Sequence, residues 1–227
     1  MIITIDGPVA TGKSTIARQL AESLGYIFFD TGAMYRALTY SILKHHIDLN
    51  NTEELINFLD HFEFSIKIIR REKHYFVDDD DVTKKIRGSE VTSAVSEVSA
   101  NKIVREKLVN IQRRLAVGVN AVFEGRDMGS VVFPEAALKI FLTGRDDVRA
   151  KRRFDELKSK YPEDTKELTF NQCLEEITQR DHYDSTREHS PLIKAHDACV
   201  IDTSDISVNE IVHKILECKD SLKTKKI

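Results

Sequence analysis

The sequence lacks the surplus of positive charge that a protein holding nucleic acid by bulk electrostatics would carry. Lysine and arginine number 34 against 37 aspartate and glutamate, a formal net charge of −3. That balance argues against binding driven by the phosphate backbone. Apolar runs of membrane-spanning length are also missing. A chain that opens directly on a strand is expected to carry no secretory leader, so a cytoplasmic location is expected. Cysteine is scarce. Cys173, Cys199 and Cys218 are widely spaced and form no metal pattern, so reduced thiols are expected. No internal repeat or low-complexity linker interrupts the 227 residues. No serine–histidine or cysteine–histidine arrangement suggests a nucleophile, and His45 and His46 fall at a helix end as surface residues. What is there is a charge-rich chain with 41% hydrophobic residues, enough to bury the core of one domain with small inserted lobes.

One stretch organises the rest. Gly7-Pro8-Val9-Ala10-Thr11-Gly12-Lys13-Ser14 matches the phosphate-binding pattern G-x-x-x-x-G-K-[ST] at every required position. Ile2 to Ile5 before it are apolar and β-branched, as in a buried parallel strand. Ile16, Ala17, Leu20, Ala21 and Leu24 after it recur at helical spacing, and Gly25 sits where that helix would stop. Strand, glycine-rich loop and helix is the order the chemistry needs. The glycines let backbone N–H groups curl towards phosphate oxygens, and the helix start adds partial positive charge. Lys13 would reach the β/γ-phosphates, and the hydroxyl of Ser14 would hold Mg²⁺.

Along the chain, Tyr26 to Phe29 is a second apolar strand, running into Asp30-Thr31-Gly32 and a helix from Ala33 to about Lys44 with Tyr35 and Arg36 in its first turn. Asn50-Asn51-Thr52 breaks the chain and caps a short helix. The period then changes: Phe62, Phe64, Ile66 and Ile68 alternate, Arg71-Glu72-Lys73 turns the chain, and Tyr75 and Val77 return it as an inserted hairpin. Asp78 to Asp81 read as a solvated loop. Helices are predicted over Ser89–Val98 and Lys102–Val117, then a third core strand at Ala121–Phe123 that opens onto Glu124-Gly125-Arg126-Asp127. A fourth strand at 138–142 precedes a charged helix from Asp146 to about Lys160. Thr169 with Gln172, and Ser207 with Glu210, form capping boxes that open two later helices, with a fifth strand at Ala198–Ile201 between them. The basic tail from Lys223 to Lys226 is expected to fray.

Five apolar strands separated by helices predict an α/β fold, a five-stranded parallel sheet covered on both faces. Ligands in such sheets bind at the carboxyl ends of the strands. Three loops there carry unusual residues: the P-loop, Asp30-Thr31-Gly32 and Gly125-Arg126-Asp127. Arg36, Arg105, Arg126, Arg149, Arg153, Arg180 and Arg187 are expected in loops or helix starts around one rim. Two phosphorylated ligands meeting in one cleft need such fixed cations, and the planar guanidinium suits phosphate.

With these residues the chain resembles bacterial cytidylate kinase, over nearly its whole length. The marks are Gly7 to Ser14, Asp30 to Arg36, Ser96 with Val104-Arg105-Glu106, Gly125 to Pro134, and Arg180-Asp181 through Asp184 to Arg187. The Gly-Arg-Asp-Met-Gly stretch is the most specific, and the hairpin near 62–77 is what that family carries in its nucleotide-binding lobe. The resemblance implies a P-loop kinase with an inserted monophosphate-binding lobe at about 33–98 and a lid arm at about 146–187. It implies transfer of the γ-phosphoryl group of ATP to CMP or dCMP with Mg²⁺, by a monomer in pyrimidine metabolism. ATP would lie on Gly7, Pro8, Val9, Ala10, Thr11, Gly12, Lys13, Ser14 and Thr15, under a lid bearing Arg149 and Arg153. Thr31, Arg36, Arg126 and Arg187 would hold the CMP phosphate, with Tyr35 beside them. Arg180 and Asp184 would hold the ribose; Ser96, Arg105 and Asp127 would read cytosine. Lys13, Arg126, Arg180 and Arg187 would be catalytic, and Ser14 the metal-binding residue. Many relatives have serine where this chain has Thr31, whose methyl group would tighten the sugar-phosphate pocket. Kinases of adenylate, uridylate or shikimate are the nearest rivals. A GTP-binding switch is a rival of another class, and the chain has no Asn-Lys-x-Asp guanine signature.

Overall fold

The computed structural model describes residues 1–70 and 72–224. Arg71 of the hairpin turn and Lys225 and Lys226 of the basic tail lie outside the described residues. The chain begins with β1 (Ile2–Asp6), α1 (Lys13–Leu24), β2 (Ile27–Asp30) and α2 (Thr31–Lys44). It continues through α3 (Thr52–His61), β3 (Phe64–Ile69), β4 (Glu72–Val77), β5 (Asp80–Asp81), α4 (Ser89–Ala100) and α5 (Lys102–Leu115). Then come β6 (Ala121–Gly125), β7 (Leu138–Thr143), α6 (Asp146–Lys160), α7 (Phe170–Thr186), β8 (Cys199–Asp202) and α8 (Val208–Thr224). These elements fall into two compact units, residues 1–29 with 116–227, and residues 30–115.

The first unit is built on an all-parallel sheet in the order β2-β6-β1-β7-β8. β1 is central, pairing Asp6 with Gly125 on one side and with Phe141 on the other. Its apolar run follows from that position, because a strand covered on both faces needs no alternation. Ile3, Ile5, Val122, Ile140, Leu142 and the α1 stripe of Ile16, Ala17 and Leu20 form one core. Gly25 ends α1 in a left-handed conformation, with Tyr26 N–H bonded back to the Ala21 carbonyl. Both predicted capping boxes form, Thr169 with Gln172 and Ser207 with Glu210.

Three expectations change here. Asp30 accepts the Ala33 N–H, so α2 starts at Thr31 and places Tyr35 and Arg36 in its second turn rather than its first. Cys199 and Cys218 are joined as a disulfide, leaving Cys173 as the free cysteine, where three free thiols were expected. Their spacing in sequence is no guide to distance in space, because α8 runs back along the edge strand β8. Several arginines also sit elsewhere than in loops or helix starts. Arg153 lies within α6 and Arg180 within α7, while Arg187 caps the C-terminal end of α7.

The second unit packs α2, α4 and α5 with the hairpin β3–β4, in register from Phe64 opposite Val77 to Ile69 opposite Glu72. Its core gathers Met34, Leu38, Leu55, Leu59, Tyr75, Val82, Val95, Val104 and Leu108. The expected solvated loop at Asp78–Asp81 is instead partly strand. Asp78 turns the chain at φ 53°, and Asp80 and Asp81 pair with Val77 and Phe76. Lys85 donates to the Asp80 carboxylate and the His74 ring hydrogen-bonds with that of Asp81, so both acids have partners where the run joins a sheet edge.

Gly7 is where the fold tolerates no side chain. Its φ is 150°, and a Cβ there would lie 2.3 Å from the backbone oxygen of Leu142. Gly7→Ala should therefore cost on the order of 3–5 kcal/mol, strain and overlap combined. Urea unfolding measures this, and a loss below about 1 kcal/mol would mean that the β1–β7 edge relaxes freely.

Candidate active site

The P-loop forms because its backbone alternates hand. Gly7, Ala10 and Gly12 all have positive φ, at 150°, 59° and 85°. Such alternation turns successive N–H groups into one concavity, and α1 starts directly behind it at Lys13. Lys13 is buried, and its ammonium donates to the Pro8 carbonyl at 2.6 Å. Burial, then the neighbouring Arg126, holds that ammonium well below the ordinary lysine range, against the pull of Glu124. The next residue, Ser14, donates its hydroxyl to Glu124 Oε1 at 2.5 Å. Glu124, the penultimate residue of β6 beside β1, is buried. A hydroxyl and a carboxylate meeting at the loop fit a hard divalent cation such as Mg²⁺, which prefers oxygen donors.

Asp6 ends β1 one residue before the P-loop. It is 4% exposed and accepts N–H bonds from Met128 at 2.8 Å and Gly129 at 2.7 Å. Those residues begin the wide helical turn Met128–Val132 that follows Arg126 and Asp127. One carboxylate thereby fixes the start of the Met128–Val132 turn to the end of β1, where the P-loop begins. Burial raises the Asp6 carboxyl to about 7, opposed by the two amides. Asp127 is itself buried, and its carbonyl accepts from Val131 and Val132.

Three arginines of this unit, Arg126, Arg180 and Arg187, are gathered by α7. Asp184 is 0% exposed. Its Oδ2 accepts from Arg126 Nε at 2.9 Å and from Arg180 Nε at 3.4 Å, and Oδ1 lies 3.6 Å from Arg187 Nη1. Burial alone would raise the Asp184 carboxyl, but Arg126, Arg180 and Arg187 together hold it below the usual carboxylate range. Oδ1 makes no hydrogen bond of its own. Burial likewise opposes the charge on Arg126, and Asp184 more than compensates. Arg187 also donates Nε and Nη2 to the Ser190 carbonyl at 2.9 and 2.6 Å.

Arg149 and Arg153, expected together as lid cations, have different environments. The Arg149 side chain is 5% exposed and spends its N–H groups on Gly144, Val9, Asp146 and Asp181. Arg153 pairs with Glu156 at 3.3 Å near the surface. In the second unit, Thr31 is buried at the start of α2. Arg36 donates to the Ile86 carbonyl at 3.2 Å and to Thr92 Oγ1 at 2.9 Å. Arg105 donates to the Ser99 carbonyl at 3.0 Å, with its guanidinium 5.3 Å from the Tyr35 ring centre. Ser96 lies on α4, one turn before Ser99, and its carbonyl accepts the Ser99 hydroxyl. Thus Thr31, Tyr35, Arg36, Ser96 and Arg105 belong to one unit, and the P-loop, Arg126, Asp127, Arg180, Asp184 and Arg187 to the other.

Sequence reasoning missed Glu124, Asp6 and Asp181 as site residues. A signal was available for two of them. Glu124 and Asp6 are acids at the carboxyl ends of apolar strands, where an unpaired charge would be costly and therefore has a partner. Asp6 yields a pH test. It titrates at about 7 in the fold against 3.8 ordinarily, so the native state holds its proton more tightly. Its stabilising contribution is full below the lower value and is lost as pH rises through the upper one. The stability gap between wild type and Asp6→Asn should be widest near pH 4 and narrow by about 4 kcal/mol by pH 8. Urea titrations across that range check it, and a constant gap would contradict it.

Comparison with known proteins agrees with this geometry. The family model described as Cytidylate kinase matches residues 3–221. A cytidylate kinase of Protochlamydia amoebophila is 72% identical over 226 residues, covering 100% of this chain and 99% of that one. One from Caldicellulosiruptor saccharolyticus is 47% identical over 215 residues, covering 95% and 93%. An uncharacterised protein from Eubacterium ventriosum, 14% identical, has a solved structure that shares the fold at a TM-score of 0.51, covering 97% of this chain and 98% of its own. With its sheet order, its P-loop and its arginine-ringed Asp184 in place, the chain belongs to the cytidylate kinase family.

Proposed function

We propose that this protein transfers the γ-phosphoryl group of ATP to CMP or dCMP, giving ADP and CDP or dCDP. The observation that carries this is the cluster of Arg126, Arg180 and Arg187 around buried Asp184, in the same unit as the P-loop. Phosphoryl transfer asks a protein for positioning and charge stabilisation rather than covalent chemistry. Lys13 would exchange the Pro8 carbonyl for the β/γ-phosphates, and the loop amides from Ala10 to Thr15 would cradle them. Ser14 and Glu124 would hold Mg²⁺, which neutralises charge on the phosphates when bound. Arg126 and Arg187, with Thr31 and Arg36 of the second unit, would hold the acceptor phosphate. The Asp184 oxygen without a hydrogen bond suits a ribose hydroxyl donor, with Arg180 beside it. No helix among the described residues is long and apolar enough to cross a membrane. We place the enzyme in the cytoplasm as a monomer that needs no nucleic acid or membrane partner.

Cytosine presents an amino donor where uracil presents a carbonyl acceptor, and Asp127 would accept from that amino group, as acidic residues do for cytosine in DNA. Arg105 would donate to the acceptor edge of the ring, assisted by Ser96. With UMP, Asp127 and the base carbonyl would be two acceptors in a dry pocket, a mismatch worth up to roughly four orders of magnitude. ADP formation measured with CMP, dCMP, UMP, AMP and shikimate tests the assignment. CMP and dCMP should lead, and Asp127→Ala should lose far more kcat/KM for CMP than for UMP. Equal losses would make Asp127 a support for its loop and leave the base to be read elsewhere.

A further inference from the structure

We propose that Asp181 is a positioning residue that orients the Pro8–Val9 peptide, and through it Lys13, while fastening the P-loop to α6. Asp181 Oδ1 accepts the Val9 N–H at 2.9 Å, and Oδ2 accepts Arg149 Nη1 at 2.5 Å. The same Nη1 donates to the Val9 carbonyl at 2.8 Å. Both polar groups of one P-loop residue are therefore claimed by side chains from α6 and α7.

The Pro8–Val9 peptide is a rigid plane with the Val9 N–H on one side and the Pro8 carbonyl on the other. That carbonyl is the acceptor for Lys13 Nζ at 2.6 Å. Fixing the N–H on Asp181 thus fixes the direction of the carbonyl that holds Lys13. The neighbouring residue, Ala10, has φ 59°, a conformation a non-glycine residue keeps only when its surroundings over-determine it. Asp181 and Arg149 supply that constraint.

The anchor is itself held by further bonds. Arg149 Nε donates to the Gly144 carbonyl at 3.0 Å, and Nη2 donates to Asp146 at 2.6 Å. The Asp181 side chain is 18% exposed and that of Arg149 5%, so this pair is shielded from the water that weakens surface ion pairs. On α7, Ile177, Asp181 and Asp184 follow one another at i, i+4 and i+7, one stripe of the helix. One stripe thereby supplies the carboxylate that gathers the arginines and the carboxylate that sets the donor loop.

The kinetic part of this inference rests on the P-loop binding ATP; the loop geometry does not. Asp181→Ala removes both bonds, while Asp181→Asn keeps an oxygen for Val9 and loses the charge facing Arg149. In nucleotide-free enzyme, Val9 amide exchange read by NMR should accelerate at least about tenfold in Asp181→Ala and stay within about twofold in Asp181→Asn. KM for ATP should rise about tenfold in the alanine variant and about threefold in the asparagine variant, with KM for CMP within about twofold in both. Should the alanine variant fail to fold, a selective rise in ATP KM in Asp181→Asn supports the role and unchanged kinetics overturn it. Unchanged Val9 exchange in Asp181→Ala, or equal rises in KM for both substrates, also overturns it. Lys13→Ala assayed alongside separates the two claims, since wild-type kinetics there would overturn the donor-site assignment instead.

Discussion

Fixed positive charge has to be held in place before any phosphate arrives, and in the first unit buried carboxylates hold it. Three guanidiniums drawn together without a counter-ion would repel one another in a poorly solvated setting. Asp184 makes that arrangement possible, and its own charge survives full burial only because the guanidiniums surround it. Asp181 does the same for Arg149 at the other end of a shared helical stripe. Around Asp184, the side chains of Arg126 and Arg180 stay about a quarter exposed, whereas Arg149 is buried and spends its N–H groups within the fold.

The parallel sheet explains why such pairs can be assembled at all. β1, β6 and β7 end side by side, so residues that terminate each strand meet although the chain separates them widely. Asp6 reaches the amides of Met128 and Gly129 across that edge, and Ser14 reaches Glu124. The core beneath is apolar and continuous, and it gives the polar edge a rigid base. Gly7 must be glycine because the chain leaves β1 directly against the backbone of β7.

What could be read from sequence was the part encoded in local pattern. The P-loop, all five sheet strands, the hairpin and both capping boxes each depend on residues within a few positions of one another. The helix of Thr31 began earlier than predicted because a single side-chain acceptor, Asp30, decided its first turn. The Cys199–Cys218 bond, the Asp6 clamp and the Asp181 bracket have no period and no local spacing. They join residues brought near only by the fold, 172 positions apart in the case of Val9 and Asp181. Arg149 is instructive. The resemblance implied a lid bearing both Arg149 and Arg153, yet one is buried and fully engaged while the other lies near the surface. Spacing reports which residues share a helix face, not which of them finds an acceptor.

The central claim is that Asp184 neutralises an arginine cluster that an anion can also neutralise. Thermal unfolding of Asp184→Ala with and without sulfate tests it most directly. Removing one partner from a buried ionic cluster costs about 3–5 kcal/mol, which corresponds to a Tm loss of roughly 10 °C for a chain of this size. The account predicts that loss without sulfate, and predicts that sulfate restores much of it while raising the wild-type Tm far less. Equal responses of the two proteins to sulfate would contradict it.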